Sequence, residues 1–201
     1  MEARQPQRKR YTYADYKQWP EDFRCELIDG EVVMMSPGPT PPHQRVKGRL
    51  FSKLDVFLDG KTCVPFDAPT DVLLLEEDEN EDDADTVLQP DILVICDPGK
   101  IGARGIVGAP DLVIEVLSPG TTQRDLNIKK YKYEHYGVRE YWIVSPKARM
   151  ITQFKRIDGV FEGTDIIKGR IDSSAVEGFG FELEELFSVL DIFDQPYKEE
   201  S

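Results

Sequence analysis

Two runs of branched apolar residues, each opened by a proline and an aspartate, constrain this chain more than anything else in it: "QPDILVI" from Gln89 and "APDLVIEVLS" from Ala109. Runs this short and this rich in Ile, Val and Leu, bounded by turn formers, read as strands buried on both faces. Such strands sit at the centre of a sheet. The second run contains an acid, Glu115. On an extended chain alternate residues share a face, so Asp111, Val113 and Glu115 point one way and Leu112, Ile114 and Val116 the other. An unpaired carboxylate there would be heavily penalised or would take up a proton, so Glu115 must face a cation or hydrogen-bond donors.

The rest of the chain supplies layers for such a sheet. Thr12 to Trp19 reads as a short helix closed by Pro20. Cys25 to Met35 has two apolar arms around Asp29-Gly30, a hairpin turn that needs positive φ. Val46, Leu50, Leu54 and Phe57 recur at helical steps and predict one amphipathic helix over about 43–58. Cys63 to Leu75 reads as one or two strands, Thr122 to Tyr136 as a helix stopped by Gly137, and Glu140 to Pro146 as a strand. A second hairpin turns at Asp158-Gly159, and Phe181 to Phe187 is a terminal helical turn. This order predicts an α/β fold, a mixed sheet with helices packed on it. One domain over 11–193 is expected, with loose tails at 1–10 and 194–201.

Asp91 follows Pro90 at the entry to its strand, where a short carboxylate can reach a neighbouring strand. Together with Glu115 it would make a hard-oxygen site suited to Mg²⁺ or Mn²⁺. A capped strand start for Asp91 and a buried salt bridge for Glu115 explain the same residues without a metal. The helix adds a third group. At 100° per residue, Leu126, Lys129, Tyr133 and Tyr136 share the face that should dock on the sheet. An ammonium there needs an anion, either Asp125 one turn earlier or Glu115 across the interface.

Composition excludes several classes. No apolar run approaches the length of a membrane span, and Met1 to Arg10 is too polar for a signal peptide, so a cytoplasmic protein with no membrane partner is expected. Cys25, Cys63 and Cys96 stand singly with no metal-ligand spacing and read as core thiols. "SPGTT" lacks the spacing of a phosphate loop, and no motif for acyl transfer is present. The formal charge of −13 argues against nucleic acid, but eight of the acids lie in Glu76 to Asp85, which reads as a solvated flexible loop. Bases cluster elsewhere, in Arg8 to Arg10, His43 to Arg49 and Arg124 to Lys132. Tyr131, Tyr133, Tyr136, Tyr141 and Trp142 read as packing rather than as a base-stacking platform.

The stretches "CELIDGEVVMMSPGP", "QPDILVI" and "PDLVIEVLSPGTTQRDLNIKKYKYEHYGVREYWIVSP" resemble the Uma2 family of restriction endonuclease-like proteins, within the PD-(D/E)xK nucleases. The likeness runs from about Tyr13 to Phe187. It implies a three-layer fold with a central mixed sheet flanked by helices, and a Mg²⁺- or Mn²⁺-dependent endonuclease acting on DNA, with Asp91 and Glu115 as metal ligands. The superfamily's lysine two residues after the second acid is absent, since Leu117 stands there; the matching residue is Lys129 on the following helix. Glu26 matches a further acidic position, as a ligand through water or a holder of Lys129. His43 also stands at a family-typical position, although a histidine at a helix start is ordinarily a cap or surface group. A homodimer would suit cutting both strands. The competing reading is a noncatalytic, dimeric binding or regulatory module on the same fold, favoured by a pI near 4.6.

Overall fold

The computed structural model describes residues 9–20, 22–35, 38–119 and 123–194, with backbone alone for 123–125. Two sheets stack on one another. In the first, the hairpin β1 (Cys25–Ile28) and β2 (Glu31–Met34) pairs with strands of the middle of the chain. Asp29 and Gly30 both take positive φ at its turn, as the dipeptide predicts. Helix α1 (Tyr13–Tyr16) precedes this hairpin, and α2 (Pro41–Leu58) follows it.

The segment read as one or two strands splits between the sheets. Strand β3 (Val64–Asp67) is an edge of the second sheet, whereas β4 (Val72–Leu74) joins the first. Beside β4 lie β5 (Thr86–Leu88) and, after β6 (Ile92–Ile95), the short β7 (Ile106–Val107). Neither β5 nor β7 stands out in the sequence, because two or three residues carry no periodicity. The first sheet has the order β2-β1-β5-β4-β7.

The second sheet holds the two Pro-Asp strands. It adds β8 (Leu112–Val116), β9 (Glu140–Ser145), β10 (Met150–Ile157) and β11 (Val160–Ile166), in the order β11-β10-β9-β8-β6-β3. Strand β6 runs antiparallel to β8, while β8 and β9 are parallel, joined over helix α3 (Gln123–His135). A small ribbon of β12 (Arg170–Asp172) and β13 (Gly180–Glu182) precedes helix α4 (Leu183–Phe187). The expected mixed α/β architecture is present, built on two large sheets rather than one.

Alternation assigns the faces. Ile92, Val94, Leu112, Ile114 and Trp142 pack against α2 and the C-terminal aromatics. Leu93, Ile95, Val113, Tyr141 and Ile143 face the first sheet and α3. Both faces of β6 and β8 are therefore dry, as their composition requires. The two Pro-Asp pairs clamp these strands reciprocally: Asp91 Oδ2 accepts from Val116 N at 2.8 Å, and Asp111 Oδ2 from Cys96 N at 2.7 Å.

The cysteine expectation is corrected. Cys63 and Cys96 are bonded as a disulfide, because the register Val64↔Ile95 places the next residues of β3 and β6 opposite each other. Only Cys25 is a free, buried thiol among the described residues. The acidic stretch is tied down at several points: Lys17 pairs with Asp82, Glu76 with His135, and Asp85 O accepts from Gly30 N. Among the described residues no helix is long and apolar enough to cross a membrane.

Candidate active site

The period of two places three acids in the layer between the sheets. On β1, Ile28 faces that layer, and so does Glu26 two residues earlier. Asp91 shares the parity of Leu93 and Ile95, and Glu115 that of Val113. The register Ile92↔Ile114 sets Asp91 opposite Glu115, so two antiparallel strands deliver adjacent carboxylates. Helix α3 closes the group, turning Lys129 and Tyr133 toward the same point.

Lys129 Nζ lies 2.8 Å from Glu26 Oε1 and 3.0 Å from Glu115 Oε1. Tyr133 Oη donates to the same Glu115 oxygen at 3.0 Å, and Gln89 N donates to Glu26 Oε1 at 2.9 Å. All four residues singled out in the sequence, Glu26, Asp91, Glu115 and Lys129, therefore meet, although Asp91 meets the others through Glu115 and not through the lysine. The alternative partner for Lys129, the side chain of Asp125, lies outside the described residues.

Two carboxylates clasp one ammonium and Asp91 adds a third negative charge nearby, and this imbalance shifts the proton affinities of the group. Burial raises the Glu115 pKa to about 7; Lys129 opposes that rise, while Asp91 and Glu26 add to it. Burial works against the charge on Lys129, but Glu115 and Glu26 outweigh it and hold the pKa above the usual lysine value. The amine stays protonated. Tyr133 is pushed well above the usual phenol range, by burial first and then by Glu115 and Glu26, so it remains a donor.

A cavity of about 310 Å³ opens over these groups, with Arg24, His43, Lys47 and Gln89 in its wall. Residues of α2 are what the sequence reading weighted too lightly. His43, expected as a cap or surface group, is buried, and its Nε2 lies 3.1 Å from Asp91 Oδ2. Lys47, one turn later, is buried on the same face. The sequence signal was available: His43 and Lys47 share the helix stripe of Val46, Leu50 and Leu54, which should be apolar throughout. Of the aromatics, Tyr133, Tyr141 and Trp142 are fully buried, whereas Tyr131 is exposed beside His135.

Among the described residues no three His, Cys, Asp or Glu are grouped closely enough to hold a metal ion unaided. Among the described residues the hydrogen bonds found there use Asp91 Oδ2 and Glu115 Oε1.

Known proteins resemble this one in both sequence and fold. The model of a family named Uma2, described as "Putative restriction endonuclease", matches residues 13–187. The uncharacterized protein slr1290 of Synechocystis sp. is 28% identical over 147 residues, which is 72% of this chain and 73% of that protein. A crystal structure of "a putative nuclease belonging to DUF820" from Anabaena variabilis superposes with a TM-score of 0.72. It covers 89% of this chain and 98% of its own at 19% identity, a likeness of fold.

Proposed function

This chain belongs to the Uma2 family, and from that premise we propose that it hydrolyses phosphodiester bonds of DNA with a divalent cation held by Asp91 and Glu115. One observation carries the reading: two acids clasp a single lysine, a third, Asp91, stands opposite Glu115, and the group keeps an excess of negative charge in a buried place. A divalent cation cancels that excess. Two carboxylates with the remaining positions filled by water suit Mg²⁺ or Mn²⁺. When bound, it supplies an acidified water and neutralises charge on the phosphate.

The protein's own groups do the rest. An ammonium has three protons, and Lys129 directs two of them to Glu26 and Glu115. The third is left for a water or a phosphoryl oxygen. Because its pKa is raised, Lys129 acts as fixed positive charge and not as a general base. Glu26, itself held by Gln89 N, positions the lysine, and Tyr133 positions Glu115. His43 orients Asp91 from the other side.

Calorimetric titration with Mn²⁺, followed by cleavage assays on labelled single- and double-stranded DNA, tests this reading. The wild type should bind the ion and cut, while Asp91→Asn and Glu115→Gln should do neither. An intact protein that neither binds Mn²⁺ nor cuts either substrate would leave the noncatalytic binding module as the better account.

A further inference from the structure

Lys47 is a buried cation with weak partners. Its side chain is 11% exposed, yet among the described residues Nζ reaches only a carbonyl, Ala68 O at 3.2 Å, and Asp67 Oδ2 at 3.4 Å. Asp67 is about half exposed, so solvent screens that pair. Lys129, the other buried lysine of the cavity, is clasped by two carboxylates and cannot leave them without stranding both. The cavity thus has an anionic wall, formed by Glu26, Asp91 and Glu115, and a second wall on α2 that carries Lys47. On that second wall His43 Nδ1 is buried without a hydrogen-bond partner among the described residues.

We propose that Lys47 is the residue that grips the substrate, donating to a nonbridging oxygen of a nucleic-acid phosphate lodged between α2 and the acids. The proposal rests on the nuclease reading and specifies which side chain of this chain meets the anion. A lysine suits this role because its charge sits on a flexible four-carbon stem, and giving up a screened pair for a phosphate loses little. Asp67 then competes with the substrate for the ammonium.

Fluorescence anisotropy of a labelled oligonucleotide, with Ca²⁺ in place of Mg²⁺ and at several salt concentrations, provides the test. Lys47→Gln should weaken binding by about tenfold. It should also lower the slope of log affinity against log salt by about 0.7, the loss of one contact to a single strand. Lys47→Arg should restore most of both. Asp67→Asn, which frees the ammonium, should tighten binding, and Mn²⁺ affinity should be unchanged in all three variants. In cleavage, Lys47→Gln should raise KM more than it lowers kcat. Unchanged affinity and salt slope in Lys47→Gln, with cleavage by the wild type intact, would overturn this proposal alone. A parallel loss of Mn²⁺ affinity would also overturn it, by making Lys47 a structural part of the site. A wild type that neither binds nor cuts nucleic acid would remove the nuclease reading, and this one with it.

Discussion

Glu115 and Glu140 are carboxylates on adjacent parallel strands, both sunk in the protein, and they look out on opposite faces of the same sheet. Glu140 is fully buried, and among the described residues it pairs with no cation. It accepts from Trp142 Nε1, Gln153 Nε2, Ser173 Oγ, Ser174 N and Oγ, and Ala175 N, at 2.5 to 3.1 Å. Neutral dipoles arriving from three directions satisfy it and fasten the loop before β13 to the sheet. Glu115 has one ammonium and one phenol on a single oxygen and two further acids nearby. A buried acid in a strand is thus either a staple or a site, and its donors tell which. Glu140 is complete as it stands, whereas Glu115 is held at a cost that a ligand would relieve.

The contrast predicts opposite outcomes for the two acids. Glu115→Gln should reduce DNA cleavage by about a thousandfold, equivalent to about 4 kcal/mol of barrier, while circular dichroism shows the fold retained. Glu140→Ala should do the reverse. Leaving its donors unpaired in the core should cost about 3 kcal/mol in denaturant unfolding, with any folded remainder still able to cut. Equal loss of stability in both variants would erase the distinction.

A smaller effect separates them by pH. The folded protein binds a proton at Glu115 more tightly than the unfolded chain does, since the pKa rises from 4.5 to about 7. Stability from this group is therefore fully present below about 4.5 and is lost as pH rises through about 7. Thermal unfolding in EDTA should show wild type falling relative to Glu115→Gln across that window, and Mn²⁺ should recover the difference. A gap that stays constant with pH would mean that Glu115 is as well satisfied as Glu140.

The smallest effect concerns the mirror image of Asp91. Asp111 makes the same clamp to the opposite strand but stands beside Arg139, away from the three acids. Asp111→Ala should lower stability by about 1 kcal/mol and leave cleavage unchanged, whereas Asp91→Ala should lose cleavage outright. Loss of activity from both would show that the clamp, and not the carboxylate's place beside Glu115, is what matters.

Much of the site is legible in the sequence. Strand parity sets the facing of Glu115, helix periodicity aims Lys129 inward, and each needs a counter-charge, although the sequence leaves Asp125 and Glu115 both open as the lysine's partner. Glu26 comes only through family resemblance, because "CELIDG" by itself does not say which sheet layer its acid enters. The cage around Glu140 is not legible at all, as its donors from Ser173 to Ala175 lie more than thirty residues along the chain. The Cys63–Cys96 bond escapes for the same reason, since the register of β3 against β6 has no local signature.

What the sequence alone determined is therefore local: which segments extend or coil, which face of each is dry, and that an acid and an amine stand on dry faces. Periodicity is a short-range property, and burial follows from it. The fold decided which buried charge is satisfied and which is not. Charge is compensated by whatever side chains and backbone dipoles happen to lie within a few ångströms, and those come from elements that only the packed sheets bring together.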